Sequence, residues 1–363
     1  MKTFIKFNLP SLNGFRAFAV LIVFLSHAGL GKIIPGGFGV TVFFFLSGYL
    51  ITTLLRIEYE ENNKINLKSF YLRRIYRILP PMYIILFTIL ILSKFGVVEN
   101  SASAKGVIAQ VLQATNYYMI NVGQGIVPNT GVFWSLAVEE HFYLAFPILF
   151  SVCVSRWNYH DIAKIFLLIC LLELFWRCVL VFCLHATLDR TYLSTDTRFD
   201  SLLFGCIMGI WMNPAFENEI GNLLSIGSKM TLLIISGILV IFTLIYRNES
   251  FRETARYTIQ GIGLFPLFWL AIRYYNWGLF KILNLKPIAF FGTISYSFYL
   301  SHFFWLFIVG RYIKNPIIIG LVGFLLTIVF SLLMYYLVEL PFARLRKRLH
   351  VYPSSPKSLL LVR

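Results

Sequence analysis

The order of apolar and polar residues divides this 363-residue chain into apolar runs separated by short polar segments. Runs of about 20 apolar residues are long enough to cross a bilayer as helices, and ten candidates occur. They are residues 10–30, 37–55, 79–95, 133–153, 162–184, 199–213, 229–246, 257–275, 288–310 and 316–338. The pattern predicts an all-α, polytopic integral membrane protein with about ten transmembrane helices. The sixth run is short, and Gly205 and Gly209 interrupt it.

Positive charges predict the orientation of these helices. An even number of spans puts both termini on one side, and cytoplasmic loops of membrane proteins carry an excess of Lys and Arg. With both termini inside, the inside segments hold 20 of the 32 Lys and Arg residues and the outside segments hold 10. We therefore expect both termini to be cytoplasmic, with Arg16 towards the inner leaflet and His27 towards the outer leaflet. A single transmembrane domain would cover residues 1–343, and a basic cytoplasmic tail would cover residues 344–363.

Composition supports the membrane assignment and argues against a nucleic-acid partner. Hydrophobic residues make up 58% of the chain and charged residues only 13%, which is about half the charged fraction of a soluble protein. The formal net charge is +16, but the basic residues lie in short segments between apolar runs. In such segments they set topology and contact anionic headgroups, so membrane lipids are the expected partners of this charge.

The five cysteines and the ends of the chain add no further chemistry. No two cysteines form a CxxC pair, so we expect buried thiols and neither a metal site nor a disulfide framework. No small-residue cleavage site follows the first apolar run, which predicts a retained first span. No long polar region precedes the first span or follows the last, so the sequence predicts no appended soluble domain.

The first apolar run carries two ionisable residues, Arg16 and His27, eleven positions apart. In a continuous α-helix they would lie on one face, about 20° apart around the axis and about 16 Å apart along it. An arginine within a membrane-length apolar run is costly and marks a pathway or a reaction centre. The alternative is that Arg16 reaches the inner headgroups and His27 only marks the outer end of the helix.

Two motifs lie in and after the second run. Ser47 and Gly48 are small residues that allow the close approach of a helix or a ligand. Arg73 and Arg77 are four residues apart, with Arg74 beside the first. Clustered guanidinium groups bind phosphate through bidentate hydrogen bonds. The alternative for this cluster is contact with anionic lipid.

The start of the fourth run is polar for a transmembrane segment. Its polar and aromatic side chains include Trp134, Ser135, Glu139, Glu140, His141 and Tyr143. On a helix, Glu139 shares a face with Ser135 and Tyr143, and a carboxylate in such a position needs partners or water. Glu140 and His141 lack the second ligand set of a metal site, so no metal is expected. The pattern instead predicts a polar pocket at the outer membrane surface.

Three more polar motifs lie in or beside the later runs. Arg198 and Asp200 are opposite charges separated by one residue, which fits an ion pair at a helix start. Glu339 follows the last run beside the basic tail, with which we expect it to pair. The ninth run carries a polar stripe that faces a cavity or another helix. The residues of this stripe are Ser295, Tyr299 and His302.

Together and in this order, the motifs resemble the membrane acyltransferase-3 family of bacterial carbohydrate O-acyltransferases. The matches are Arg16-x10-His27, GVxxFFxxSGYL at 39–50, RRxxRILP at 73–80, WSLxVEEHFYLxFP at 134–147, RFD at 198–200, GTISYSFYLSH at 292–302 and VELP at 338–341. They cover nearly the whole chain. Unlike for many members, the sequence predicts no esterase-like periplasmic domain after the last run. This difference leaves the choice of acceptor to the membrane part, to a partner, or to both.

The resemblance implies transfer of an acyl group, usually acetyl, from acetyl-CoA in the cytoplasm to a hydroxyl of a carbohydrate. It also implies location in the cytoplasmic membrane of a bacterium. Acceptors in the family include lipopolysaccharide, exopolysaccharide, peptidoglycan, signalling oligosaccharides and macrolide-type sugars. The implied partners are thus a carbohydrate acceptor, free or lipid-linked, and a separate periplasmic or secreted protein. Arg16 and His27 match the central functional pair of the family.

Within that implied reaction, each motif receives an expected role. A histidine titrates near neutral pH and activates a weakly nucleophilic hydroxyl, so His27 is the expected base; transient acylation of His27 is the alternative. Arg16 would hold a phosphate or stabilise a developing oxyanion, and Glu139 completes the expected catalytic set. The expected ligands of coenzyme A are Arg73, Arg74 and Arg77. The residues expected on the acceptor side are Ser47, Gly48, Trp134, Ser135, Glu140, His141, Tyr143, Arg198, Asp200, Ser295, Tyr299 and His302.

Two other functions fit parts of the pattern. Ten spans with intramembrane charges suit a transporter of a glycan or a small molecule, although the sequence contains no internal repeat and no paired broken helices. Transfer of succinyl instead of acetyl would use the same residues. Release of the acyl group from a coenzyme A thioester would distinguish a transferase from a transporter.

Overall fold

The structure, a computed structural model, describes residues 10–99, 101–216 and 224–348, and the regular elements in these ranges are helices. The longer helices are α1 (Pro10–Leu25), α2 (Gly36–Asn62), α3 (Leu67–Lys94), α6 (Phe133–Arg156), α7 (Tyr159–Cys178), α9 (Phe199–Ile210), α10 (Ile226–Ile245), α12 (Ala255–Arg273), α15 (Ser295–Tyr312) and α16 (Pro316–Met334). The shorter helices are α4 (Ala104–Val111), α5 (Thr115–Val122), α8 (Leu188–Leu193), α11 (Glu249–Glu253), α13 (Phe280–Leu283), α14 (Lys286–Thr293) and α17 (Leu340–Arg348).

The ten apolar runs all contain helices. In the described ranges, seven helices are long and apolar enough to cross a membrane, and the bent pair of α14 and α15 makes an eighth. The other two predicted spans are α9, which has only 12 residues, and α12, which has 19 residues and carries Arg256 and Arg273 near its ends. The prediction of an all-helical, multi-pass membrane protein is confirmed.

The segment predicted as an inner loop between the second and third runs is mostly helical. α2 continues to Asn62, and α3 begins at Leu67. Asn66 caps α3, because its side chain accepts a hydrogen bond from the backbone N–H of Ser69. The arginine cluster at 73–77 therefore lies within α3.

Among the seven helices long and apolar enough to cross a membrane in the described ranges, α2 is the most buried, with 72% of its apolar window inside the protein. It packs on α9 through glycines on both helices. A Cβ on Gly48 would lie 1.9 Å from the carbonyl oxygen of Leu202, and a Cβ on Gly205 would lie 2.0 Å from that of Phe45. Larger side chains would push the two backbones apart. Gly48 thus allows the close approach of a neighbouring helix, and its predicted role on the acceptor side stays a prediction.

α14 and α15 form a helix pair that bends by 71° at the break between them, the geometry of a broken span or of a re-entrant loop. Gly292 lies just before the bend, and a Cβ there would lie 1.8 Å from the carbonyl oxygen of Asn13 in α1. Ser295 is the first residue of α15, and its hydroxyl donates a hydrogen bond to the Gly292 carbonyl oxygen at 2.8 Å. This close approach brings the polar stripe of α15 against α1, the helix that carries the ionisable residues of the first span.

α1 ends earlier than the continuous helix that the sequence suggests. It stops at Leu25, and a π-helical turn, Ser26–Leu30, follows. Gly29 adopts a φ of 103°, a conformation that favours glycine. The shared face expected for Arg16 and His27 assumes a continuous α-helix, and the α-helix continues only to the end of α1. Such π-helical turns are frequent at functional sites.

The last apolar run passes into the basic segment without leaving the helical path. α16 is followed by a π-helical turn, Tyr335–Glu339, and then by α17. Arg346 of α17 is buried and donates a hydrogen bond to the carbonyl oxygen of Arg73 in α3. The start of the predicted tail thus packs on the arginine-bearing helix, whereas residues 349–363 lie outside the described ranges.

Candidate active site

A cavity lies between α1, α2, α3, α6 and α15, and most of the polar residues selected from the sequence line it. Its walls also contain apolar side chains of α2, among them Phe43 and Leu46. The selected polar residues in its lining are Arg16, Ser47, Arg74, Arg77, Ser135, Glu139, Tyr143, Ser295 and Tyr299. The fold therefore gathers motifs from both ends of the chain into one site.

Three guanidinium groups lie together in this lining. Arg16 is on α1, and Arg74 and Arg77 are on α3; Arg77 is exposed and the other two are half-buried. Arg16 donates a 2.8 Å hydrogen bond to the Asn13 side chain, and the Arg74 guanidinium lies over the Tyr143 ring, 5.1 Å from its centroid. Within the described residues, no carboxylate forms an ion pair with any of the three. Such a cluster suits a multiply charged anion.

A carboxylate and two hydroxyl groups form a connected network in the same cavity. The Ser47 hydroxyl donates to Glu139 Oε1 at 2.9 Å. The Tyr143 hydroxyl lies 3.1 Å from both Glu139 Oε2 and the Ser47 hydroxyl. Both oxygens of Glu139 are thereby held in place by side chains from two helices, as the shared face of Glu139 and Tyr143 on α6 predicts.

Ser135 and Tyr299 join α6 to α15 at another part of the cavity wall. Their hydroxyl oxygens lie 2.7 Å apart, and the carbonyl oxygen of Val132 is within 3.2 Å of the first and 3.1 Å of the second. Both side chains are more than nine-tenths buried. The contact fixes the turn of α15 that follows the cavity.

Two histidine rings meet beyond that turn. His27 Nδ1 lies 2.8 Å from His302 Nε2, and the rings are stacked with centroids 5.1 Å apart. His302 Nδ1 lies 2.6 Å from the carbonyl oxygen of Tyr299. His27 is exposed, whereas His302 is completely buried. Neither ring lines the cavity. His302 therefore contacts His27, and its predicted role on the acceptor side stays a prediction.

Arg73 differs from the other two arginines of its motif, because it does not line the cavity. It donates to Glu58 Oε2 at 3.0 Å, and the other oxygen of Glu58 accepts from the backbone N–H of Asn66. Arg73 therefore holds the start of α3 against α2. The cavity lining contains Arg16, Arg74 and Arg77, and the assignment of Arg73, Arg74 and Arg77 to coenzyme A stays a prediction.

Arg198 and Asp200 are completely buried outside the cavity, and they do not pair with each other. The Arg198 guanidinium lies over the Tyr257 ring at 4.0 Å and the Trp134 ring at 5.6 Å. Asp200 Oδ2 accepts a 2.7 Å hydrogen bond from Arg177. The RFD motif and Trp134 thus pack within the fold in this structure, and their predicted role on the acceptor side stays a prediction.

Glu140 and His141 also lie outside the cavity. His141 Nδ1 is 2.7 Å from the Thr195 hydroxyl, and its ring stacks on Tyr117. Glu140 is half-buried, and its Oε1 has no hydrogen-bond partner in the described structure. The predicted acceptor contacts of both residues are therefore not part of this cavity. In the described ranges, no group of three potential metal ligands occurs.

The sequence reasoning left three polar residues of the cavity lining out of the candidate site, Thr293, Tyr296 and Glu339. The Tyr296 hydroxyl donates to the Ile78 carbonyl at 2.8 Å, and Glu339 accepts from the Ser297 hydroxyl at 2.5 Å. Glu339 thus faces α15. The signal that selected Glu139, a carboxylate at the end of an apolar run, was present here too.

Comparison with known proteins agrees with the motifs. The family model described as an acyltransferase domain matches residues 9–336. O-acetyltransferase OatA of Staphylococcus aureus strain NCTC 8325 is 31% identical over 348 residues, which cover 92% of this chain and 57% of OatA, and OatA of strain COL gives the same values. The protein SACOL0978 of S. aureus strain COL is 30% identical over 359 residues, or 93% of this chain and 57% of that protein.

The chain spans little more than half the length of these curated relatives. No solved structure matches it. The family match extends over the helices that form the cavity and includes both Arg16 and His27. On this evidence the chain is a multi-pass membrane protein that belongs to the acyltransferase-3 family.

Proposed function

We propose that the chain transfers an acetyl group from acetyl-CoA to a hydroxyl of a cell-surface or secreted carbohydrate. The observation that carries this proposal is the cavity, which holds three guanidinium groups together with a network of carboxylate and hydroxyl groups. The guanidinium groups suit a donor that bears phosphates, and the network suits sugar hydroxyls. The name of the relative OatA, an O-acetyltransferase, supports acetyl as the transferred group.

The donor is proposed to bind at the arginines. Coenzyme A carries several phosphates, and a guanidinium group binds a phosphate through two parallel hydrogen bonds. Arg77 is the exposed member of the three. With both termini in the cytoplasm, Arg77 lies on the side from which acetyl-CoA arrives. Arg16 lies in α1, the helix that precedes the turn with His27. Its fixed positive charge is suited to stabilise negative charge on the thioester oxygen.

The reaction is attack of the acceptor hydroxyl on the thioester carbonyl. His27 accepts the hydroxyl proton as the C–O bond forms, the C–S bond breaks, and the coenzyme A thiolate leaves with the electron pair and is then protonated. Histidine suits this role because its ordinary pKa is near neutral pH. The exposure of His27 supports an acceptor that approaches from the outer side.

The acceptor is proposed to contact the polar residues of α6 and α15. Glu139 is held by Ser47 and Tyr143, so its carboxylate is oriented before a sugar hydroxyl reaches it. Ser135 and Tyr299 supply further hydroxyl groups. A lipid-linked glycan is a suitable acceptor because it is already held at the membrane, and a separate periplasmic or secreted protein would be its carrier. The proposed location is the bacterial cytoplasmic membrane.

Mass spectrometry of envelope glycans from cells with and without the gene tests the function. We expect an alkali-labile acetyl mass that occurs only when the gene is intact. A succinyl mass instead would support a transferase whose donor carries a succinyl group. No acyl difference in any glycan or secreted small molecule would contradict the proposal and favour a transporter.

Replacing Arg74 or Arg77 by glutamine is expected to raise the KM for acetyl-CoA about tenfold or more, because a hydrogen bond to a charged group contributes about 1.5–3 kcal/mol. KM is measured with purified protein in lipid nanodiscs. Lys68→Gln is the matched control, since it removes an exposed positive charge from the same helix. Arg73→Gln should resemble the control, because Arg73 lies outside the cavity. An unchanged KM in a variant that lacks all three cavity arginines would refute the donor site.

A further inference from the structure

In the hydrogen bond between His27 and His302, one ring donates and the other accepts. The positions of the protons determine which ring is the donor. His302 Nδ1 lies 2.6 Å from the Tyr299 carbonyl oxygen, which is only an acceptor. His302 Nδ1 must therefore carry a proton. In a neutral ring, His302 Nε2 then has a free lone pair, and this atom lies 2.8 Å from His27 Nδ1. For the second hydrogen bond to form, His27 must carry its proton on Nδ1.

We propose that His302 is a positioning residue that fixes the orientation and tautomer of His27, leaving His27 Nε2 as the atom that accepts a proton. This inference rests on the proposed function, in which His27 is the base. A neutral imidazole has one protonated and one unprotonated nitrogen, so a partner that binds Nδ1–H selects the tautomer whose Nε2 lone pair is available.

The surroundings of His302 support a fixed, neutral ring. Its side chain is completely buried, and no carboxylate among the described residues forms an ion pair with it. The Phe298 ring stacks on it at 6.4 Å, and the Phe24 ring meets it edge-on at 6.3 Å. Aromatic packing on two sides and the Tyr299 carbonyl leave His302 little freedom to turn.

The surroundings of His27 differ from those of His302 in solvent exposure and backbone regularity. Its ring is exposed and lies in the π-helical turn after α1, where the backbone departs from regular helix geometry. A ring in such a turn would sample several rotamers without a partner. The hydrogen bond to His302 and the edge-on contact with Phe303 at 5.2 Å restrict it. His302 thus supplies the rigidity that the turn does not provide.

The proton balance of the transfer step follows. The acceptor hydroxyl gives its proton to His27 Nε2 as the C–O bond forms and the C–S bond breaks, and the thiolate later takes that proton. During the step His27 carries two protons, and its Nδ1–H remains hydrogen-bonded to His302 Nε2. His302 stabilises the charged ring without accepting the proton itself. Tyr299 connects the histidine pair to the cavity, because its carbonyl oxygen accepts a hydrogen bond from His302 and its side chain lines the cavity wall.

Kinetics of two variants test the positioning role. His302→Leu removes the acceptor at Nε2, and we expect kcat to fall at least about tenfold with an unchanged KM for acetyl-CoA. His302→Gln places an amide oxygen near the position of Nε2, and it should recover most of the lost kcat. Equal loss in both variants, or a loss confined to KM, would overturn the proposal. Rates are compared per amount of folded protein, measured by size-exclusion chromatography in detergent.

Nitrogen-15 NMR of histidine-labelled protein in lipid bilayers tests the tautomer without relying on activity. The chain has six histidines, and a His27→Ala sample identifies the signals of His27. In the unmodified chain we expect a protonated Nδ1 and an unprotonated Nε2 on His27, and in His302→Leu a mixture of tautomers. A protonated Nε2 in the unmodified chain would overturn the proposal. Absence of any acetyl transfer by the unmodified chain would instead refute the proposed function, which the kinetic controls reveal separately.

Discussion

Replacing His27 by alanine is expected to lower acetyl transfer by a factor of about 10² to 10⁴, the usual contribution of a general base. The exposed ring packs mainly on His302 and Phe303, so its removal should leave the helices in place. Transfer is measured with purified protein, acetyl-CoA and the acceptor that glycan mass spectrometry identifies.

His160→Ala is the matched control for this experiment. His160 is an exposed histidine at the start of α7 that contacts the Trp211 ring, and it lies outside the cavity. We expect its removal to leave the transfer rate unchanged. If His27→Ala inserted normally and retained the full transfer rate, His27 would not be the base.

Replacing Asp200 by asparagine is expected to lower the free energy of unfolding by about 3–5 kcal/mol, the usual cost of removing one partner of a buried ion pair. Arg177 and Asp200 are both completely inaccessible to solvent, with Nη2 and Oδ2 2.7 Å apart. Arg177 also donates to the carbonyl oxygens of Thr197 and Thr254. Without Asp200, its charge would remain buried with Glu173, 3.3 Å away, as its remaining ion-pair partner among the described residues.

Denaturation in detergent measures this effect, and Asp196→Asn provides the comparison. Asp196 pairs with Arg190 at 2.6 Å, but both side chains are partly exposed. Partly exposed pairs contribute about 0–1 kcal/mol, so we expect a small change. Equal effects of Asp200→Asn and Asp196→Asn would contradict the structural role of the buried pair.

The apolar pattern was sufficient to predict the class of fold, since each of the ten runs contains a helix. It was less informative about where helices end. The polar stretch after residue 55 predicts a loop. In the structure α2 continues to Asn62, and Arg56 in this stretch is buried and donates to the Ile210 carbonyl at 2.8 Å. An apolarity scale cannot recognise a charged residue that finds its partner on a distant helix.

For the candidate site too, the sequence pattern was sufficient for some residues and not for others. Spacing correctly placed Ser135, Glu139 and Tyr143 together, because all three lie on one helix and helix geometry relates them. The same polarity argument selected Arg198 and Asp200, which the fold uses for packing. Polarity in an apolar helix indicates that a partner exists, but the choice between a side chain and a substrate depends on which helices meet. That choice is made by tertiary contacts such as those of the glycines in α2 and α9.

The contact between Ser135 and Tyr299 also bears on the electrical insulation of the cell. A continuous aqueous passage from Arg77 to His27 would let protons and other ions flow down their gradients and dissipate the membrane potential. The hydroxyl contact joins α6 to α15 between the cavity and the histidine pair, and neither histidine lines the cavity. On this arrangement, the contact limits ion leakage through the idle protein.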